Sequence, residues 1–296
     1  MGGGQRISEA ARTGQRLTDG GFWDEYWSAL ALPAEIKKSR SLYITEITGV
    51  LDRYFPRGSG LAALEIGGAP GQYLAYLHRT FGYAVTALDS SAAGCEKARA
   101  NFGLLGIPGV VVEGDMFSRS LSLPRFDVVY SLGLFEHFVD PAPVVEAHLR
   151  LLKPGGVLGL GCPNYLGVNG VLLRRLSPGL LETVNLATMD IDAWQSFETA
   201  FGLEVLFKGY VGGFEPSLFW RRECDRTFDR GLALALRFLR RGLNRPGTKP
   251  LRRANSRLWS GYALGIYQYG ATNPIARGGP GRPTTGELAR ESPDAR

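Results

Sequence analysis

The chain has 296 residues, 44% of them hydrophobic, enough to bury the core of one large domain or of one domain with added segments. No run approaches the roughly 18 apolar residues of a membrane span, MGGGQRISEA lacks the apolar stretch of a secretory signal, and Cys95, Cys162 and Cys224 are too scattered for a zinc set and odd in number for a disulfide framework. A reduced, cytoplasmic compartment is the expectation. The net charge of +6 is uneven, because residues 221–260 hold twelve Lys/Arg against three Asp/Glu, a basic stretch that suits a solvated face or an anionic partner.

Residues 1–20 are rich in Gly and polar side chains and are expected to be disordered. An aromatic knot follows, Phe22-Trp23-Asp24-Glu25-Tyr26-Trp27, and apolar positions between Pro33 and Phe55 keep helical spacing; together 21–60 read as an N-terminal helical arm. Strands and helices then alternate. Strands are predicted at Leu61–Ile66, Ala84–Leu88, Val110–Glu113, Phe126–Ser131 and Val157–Gly161, the last entered through the turn Lys153-Pro154-Gly155-Gly156. Helices are predicted at Gln72–Phe81, Ala92–Leu105 and Pro143–Leu152. This alternation implies βαβ units and a parallel sheet with helices on both faces, with 61–165 as the cofactor-binding core. From 166 to 270 the pattern reads as cap helices and the last strands of the sheet, with a helix at Asp190–Phe201, strands at Leu203–Tyr210 and Trp259–Tyr269, and mostly helix over 216–245. The stretch 271–296 reads as a disordered tail.

The junction Glu65-Ile66-Gly67-Gly68-Ala69-Pro70-Gly71 is a strand, a tight turn and a helix start, the form of a nucleotide-binding loop. The dinucleotide pattern Gly-x-Gly-x-x-Gly fails at two of its three positions, whether counted from Gly67 or from Gly68. The pattern acidic-x-Gly-x-Gly-x-Gly fits Glu65, Gly67 and Gly71, with Ala69 as the one departure. Downstream, Asp89 ends the second strand and Asp115 the third; FDVVYSLGLFEHF and LLKPGGVLGLGCPN follow in order. A strand-ending Asp can accept hydrogen bonds from ribose hydroxyls, or cap the next turn.

With these five elements, residues 61–164 resemble the class I S-adenosylmethionine-dependent methyltransferases, within the broad group acting on small molecules. The resemblance implies a Rossmann-like, doubly wound, mostly parallel seven-stranded sheet, with an N-terminal helical arm and a helical cap. It implies S-adenosylmethionine as cofactor, held by Glu65, Gly67, Gly68, Ala69 and Gly71 in the loop, Asp89 and Ser90 at the ribose, Asp115, Met116 and Phe117 at the adenine, and Ser131 on the fourth strand. It also places Glu136 and His137 beside the transferable methyl, as proton acceptors or as residues that order the loop. His78 and His148 sit inside helices and read as structural. Some quinone O-methyltransferases of the group carry Glu-x-x-Glu-His here and hold a divalent ion; Gly133 replaces the first Glu, and no metal is expected.

Trp23, Tyr26, Trp27, Asn164 and Phe214 are the candidates for the acceptor pocket. The sequence lacks the Asn/Asp-Pro-Pro-Tyr/Phe and Pro-Cys motifs of nucleic-acid methyltransferases, which favours a small molecule, an alcohol or amine on a natural product, sugar, quinone or lipid. The alternatives are an RNA-modifying enzyme using the basic segment, a non-catalytic binding protein of the same shape, and an NAD-dependent oxidoreductase, which the failed dinucleotide pattern disfavours. The leucines and arginines near 232–241 also allow contact with an anionic membrane surface, although they do not separate onto clean faces.

Overall fold

The structure is a computed structural model that describes residues 15–38, 41–215 and 255–270, with positions 231, 234–236, 238, 239 and 242. Residues 1–14, Cys224, most of the basic segment 221–260 and the tail 271–296 lie outside the described residues.

Among the described residues two α-helices precede the sheet: α1 at Gly20–Ser28 and α2 at Leu42–Tyr54. Each is started by a side chain that satisfies an otherwise unpaired amide, Asp19 accepting from Phe22 N at 2.8 Å and Ser41 from Ile44 N at 3.5 Å. The α-helical spacing expected from Pro33 does not become α-helix before Leu42, because residues 33–36 are irregular and tied to the core through Ala34. There Asn101, fully buried, accepts from Ala34 N and donates to Ala34 O and Pro70 O, each at 2.9 Å.

The core runs β1 Ala62–Ile66, α3 Gln72–Phe81, β2 Ala84–Asp89, α4 Ala92–Leu105, β3 Val110–Glu113, β4 Phe126–Leu132, α5 Ala142–Leu151 and β5 Leu152–Pro163. Helices α6 Gly167–Leu176, α7 Gly179–Glu182 and α8 Gln195–Ala200 follow, then β6 Leu203–Val211 and β7 Tyr262–Tyr269. The seven strands form one sheet in the order β3-β2-β1-β4-β5-β7-β6. β1 to β5 pair parallel with one another, and β7 runs antiparallel between β5 and β6. The sheet is therefore the expected doubly wound, mostly parallel one. Residues of α2, α3 and α4 pack one face and residues of α5 and α6 the other, together with Trp194 and Phe197.

Two elements differ from the sequence expectation. The Lys153–Gly156 turn lies inside β5: Phe126 pairs with Leu152 and Val128 with Val157, so the extra residues bulge from a strand that is already paired. Lys153 Nζ holds both oxygens of Asp127 at 2.9 Å across that bulge. The helix expected over Asp190–Phe201 shortens to Gln195–Ala200, because Asp190 is extended and its carboxylate accepts from Asp192 N at 3.3 Å, making a turn instead.

The strand order reverses between β1 and β4, and in open α/β sheets ligands bind at the carboxyl ends of strands beside such a reversal. Asn101 fastens the linker 33–36 to the loop that ends there. Asn101→Ala should lower the unfolding free energy by about 3 kcal/mol, since it leaves buried backbone groups unpaired. Denaturant titration should show a lower midpoint at unchanged slope; a loss under about 1 kcal/mol would mean that water replaces the amide.

Candidate functional site

The loops leaving β1, β2, β3 and β4 meet around one cavity of about 530 Å³. The first loop turns through Gly67 and Gly71, at φ +69° and +81°. Gly71 has a second reason to lack a side chain: a Cβ there would lie 2.4 Å from the Phe102 ring. Gly67 N donates to Leu88 O at 2.8 Å, which ties the loop to the end of β2.

Asp89 then joins three segments. Its Oδ2 accepts from Ala69 N at 3.2 Å and its Oδ1 from Ser91 N at 2.9 Å. Ser91 caps α4 by accepting from Gly94 N at 2.9 Å, and donates to Asp24 Oδ1 of α1 at 2.6 Å. Burial pushes the Asp89 carboxyl above the usual range, and its backbone donors work against that rise.

Glu65 sits opposite Tyr130 in the β1–β4 register, so their side chains share a face, and Tyr130 donates to Glu65 Oε2 at 3.0 Å. Burial raises Glu65 to about 8, and the Tyr130 hydrogen bond offsets part of the rise. Asp115 accepts from Phe117 N at 3.0 Å and pairs with Arg16 at 2.8 Å.

Residues 16–19 close the rim, although composition placed them in the disordered end. Arg16 makes an antiparallel bridge with Phe138, and Leu17 N donates to His137 O at 2.8 Å. The Arg16 guanidinium lies 5.9 Å from the centroids of Phe117 and Phe138. Helix α1 continues over the cavity with Trp23, Tyr26 and Trp27 as lining residues; Trp23 donates to Thr18 Oγ1 at 3.0 Å and meets the His137 ring edge to face at 4.9 Å.

On the opposite side, Glu136 and His137 form a single turn after β4. Glu136 is 1% exposed, and its Oε2 has no hydrogen-bond partner among the described residues. Burial raises its carboxyl to about 8, against a backbone hydrogen bond that lowers it. His137 Nδ1 donates to Thr183 O at 2.7 Å, which leaves Nε2 as the ring's acceptor, 3.7 Å from Glu136 Oε1. Among the described residues no group of three or more His, Cys, Asp or Glu is placed to hold a metal ion.

Of the residues singled out in the sequence, Glu65, Gly67, Ala69, Gly71, Asp89, Ser90, Asp115, Met116, Glu136, His137, Trp23, Tyr26 and Trp27 line this cavity. Five do not. Gly68 packs beneath the loop, where a Cβ would stand 2.9 Å from Glu65 O. Phe117 turns away to meet Phe138 at 5.7 Å. Ser131 is fully buried within the sheet, its hydroxyl without a partner among the described residues. Asn164 is spent on the joint between β5 and β7: its amide donates to Ser260 O at 2.8 Å and Arg257 O at 3.0 Å. Phe214 packs half-buried against the core. Sequence reasoning missed Arg16, Tyr43, Tyr73, Tyr165 and Tyr262, which line the cavity from the stretch before α1, from α2, from α3, from just after β5 and from β7.

Residues 64–160 match the family model described as a methyltransferase domain. A ubiquinone biosynthesis O-methyltransferase of Proteus mirabilis is 32% identical over 98 residues, 33% of this chain and 40% of that protein. A 2-methyl-6-phytyl-1,4-hydroquinone methyltransferase of Oryza sativa is 33% identical over 99 residues, 33% of this chain and 29% of that protein. The chain thus spans well under half the length of these relatives. A solved SAM-dependent methyltransferase of Geobacter sulfurreducens in complex with S-adenosyl-L-homocysteine has the same fold, with a TM-score of 0.50 at 19% identity over 82% of this chain and 95% of that one.

Glu65 and Glu136 keep protons in the folded chain that the unfolded chain releases above about pH 4.5. Their contribution to stability is therefore neutral at low pH and falls as pH rises from about 4.5 toward 8. Melting curves of Glu136→Gln and the parent should draw apart over that window, the variant gaining relative stability toward pH 8. A gap independent of pH would show that Glu136 is ionised in the free protein.

Proposed function

Residues 64–160 form a class I methyltransferase domain, and from that premise we propose that the chain methylates an oxygen or nitrogen of a small-molecule acceptor, with S-adenosylmethionine as donor. The observation that carries this is the convergence of the glycine loop, Asp89 and Asp115 on one cavity whose other half is lined by aromatic side chains and Glu136. The residues fit such a nucleoside. Gly67 lets the backbone come close to its methionine portion, and Asp89, at the end of β2, offers a carboxylate to the ribose hydroxyls. Asp115 and Met116 line the same cavity at the end of β3, where Asp115 would accept from the adenine amino group and Met116 would pack on the ring.

When bound, the sulfonium supplies an electrophilic methyl group. The chain holds the acceptor in line with it and excludes water: α1 covers the cavity with Trp23, Tyr26 and Trp27, and residues 16–19 close the rim. Glu136 takes the acceptor's proton, and His137, fixed by Thr183 O, holds the loop that carries it. The names of the two relatives, an O-methyltransferase of ubiquinone biosynthesis and a hydroquinone methyltransferase, support a small-molecule acceptor over RNA. A non-catalytic role is less favoured, since Glu136 and the cofactor loop line one cavity.

Thermal melts with S-adenosylmethionine, S-adenosylhomocysteine and NAD test the donor. A ligand at a hundredfold excess over its dissociation constant adds ~2.7 kcal/mol. The sulfonium compound and its product should raise the melting temperature, and Asp89→Ala should abolish the shift; a response to NAD alone would overturn the proposal. With a substrate in hand, Glu136→Gln should slow methyl transfer by about 10²-fold or more while leaving S-adenosylhomocysteine affinity unchanged. Equal turnover would remove Glu136 as the base.

A further inference from the structure

At the acceptor end of the cavity the side chains form a cluster with a definite chemical bias. Glu136 is fixed through its backbone, its carbonyl accepting from Asn185 N at 2.6 Å, while its buried Oε2 is without a partner among the described residues. Four tyrosines from four parts of the chain line the same cavity: Tyr43 from α2, Tyr73 from α3, Tyr165 just after β5 and Tyr262 at the start of β7. Tyr43 and Tyr262 meet edge to face, ring centroids 5.3 Å apart. Tyr43 is close enough to feel Tyr73 and Tyr165, and Tyr262 to feel Tyr43 and Tyr73. Burial first, then Tyr73, Tyr165, Glu136 and Glu215, pushes the Tyr43 hydroxyl well up, and burial followed by Tyr43, Glu136, Tyr73 and Cys162 does the same to Tyr262.

The negative faces of aromatic rings attract cations, most strongly where water is excluded. A desolvated carboxyl without a partner is stabilised most by an opposite charge that also donates hydrogen bonds. An acceptor bearing a carboxylate or phosphate at this end would bring no counter-ion to Glu136 and would meet the negative faces of the rings. His137 does not supply the missing cation to Oε2: its Nδ1 is engaged by Thr183 O, and its Nε2 lies 3.7 Å from the other oxygen, Oε1.

We infer that the acceptor's reacting group is an amine, which enters as its ammonium form between Tyr43, Tyr73, Tyr165 and Tyr262 and takes Glu136 as its counter-ion. This rests on the methyltransferase reading above and names the substrate class of that same site. The ammonium gives one proton to the Glu136 carboxylate, freeing the nitrogen lone pair. That pair forms the new N–C bond as the methyl–sulfur bond breaks, and the electrons of the broken bond stay on sulfur. The products are a methylammonium and a neutral thioether, and Glu136 afterwards returns its proton to solvent. Among the described residues, the titratable groups that act on Glu136 include His137 on its own turn, Cys162 of β5, Tyr43 of α2 and Tyr262 of β7. No Lys or Arg is among these four, so the incoming ammonium supplies the charge that ionises Glu136.

Calorimetric titration of the full chain, saturated with S-adenosylhomocysteine, tests this with three probes of similar shape: 2-phenylethylamine, 2-phenylethanol and phenylacetate. The amine should bind at least tenfold more tightly than the alcohol, and phenylacetate most weakly. At pH 7 amine binding should release about one proton, seen as a dependence of the heat on buffer ionisation, because Glu136 rests near 8 in the free protein. Glu136→Gln should erase both the preference and the proton release while S-adenosylhomocysteine binds as before, and Tyr262→Leu should weaken the amine alone. Alcohol or acid binding as tightly as the amine would overturn the inference, and so would no binding of any probe to protein that holds the product. Failure to bind S-adenosylhomocysteine at all would instead overturn the methyltransferase reading on which it rests.

Discussion

Asp89 is the constraint on which the rest of the site depends. One carboxylate receives an amide from the glycine loop after β1 and another from the first residues after its own strand. Ser91 passes the connection on to Asp24 in α1. The cofactor loop, helix α4 and the helix that roofs the cavity are thus fixed relative to the end of β2. Moving this carboxylate would move all three. The rise in its proton affinity on burial is the cost, and the amides limit it by favouring the charged form.

Glu65 and Glu136 carry the same burden with less relief. Glu65 has one hydroxyl donor, and one oxygen of Glu136 has no partner among the described residues. Buried acids left this way oppose folding at neutral pH, which a stability-driven core would replace with apolar side chains. Their retention around a single cavity is what a binding site looks like energetically: groups whose partners arrive with the ligand. The helical arm fits this view. It reaches the cavity with exposed or half-buried aromatics, and none of α1 is fully buried, so its ring faces stay available to a ligand while Asp24 anchors the helix to Ser91.

Much of the fold was legible because the chain alternates cleanly. Helices α3 and α4 lie where the apolar spacing predicts, and each parallel strand reads as a short apolar run ended by Gly or an acid. The errors share a cause, which is that tertiary partners overrule local pattern. Lys153-Pro154-Gly155-Gly156 has turn chemistry, yet Asp127 holds it within a paired strand. Asp190 begins a helical pattern, yet caps a turn instead. At the site, the glycine loop and the strand-ending acids were visible because strand ends fix their position in space. Asn164 was placed at the right end of β5 and still missed the cavity, since its amide answers backbone carbonyls more than 90 residues away. The tyrosine cluster was invisible for the converse reason. Tyr43, Tyr73, Tyr165 and Tyr262 have no sequence relation and meet only because β7 inserts between β5 and β6 and α2 packs across that edge.

The most direct measurement is a crystal structure of the full chain grown with S-adenosylhomocysteine. The ribose hydroxyls should lie on Asp89, the adenine beside Asp115 and Met116, and the sulfur should face the space between Glu136 and Tyr262. Density for the nucleoside outside this cavity, or with its sulfur turned away from Glu136, would contradict the assignment of the two ends of the site.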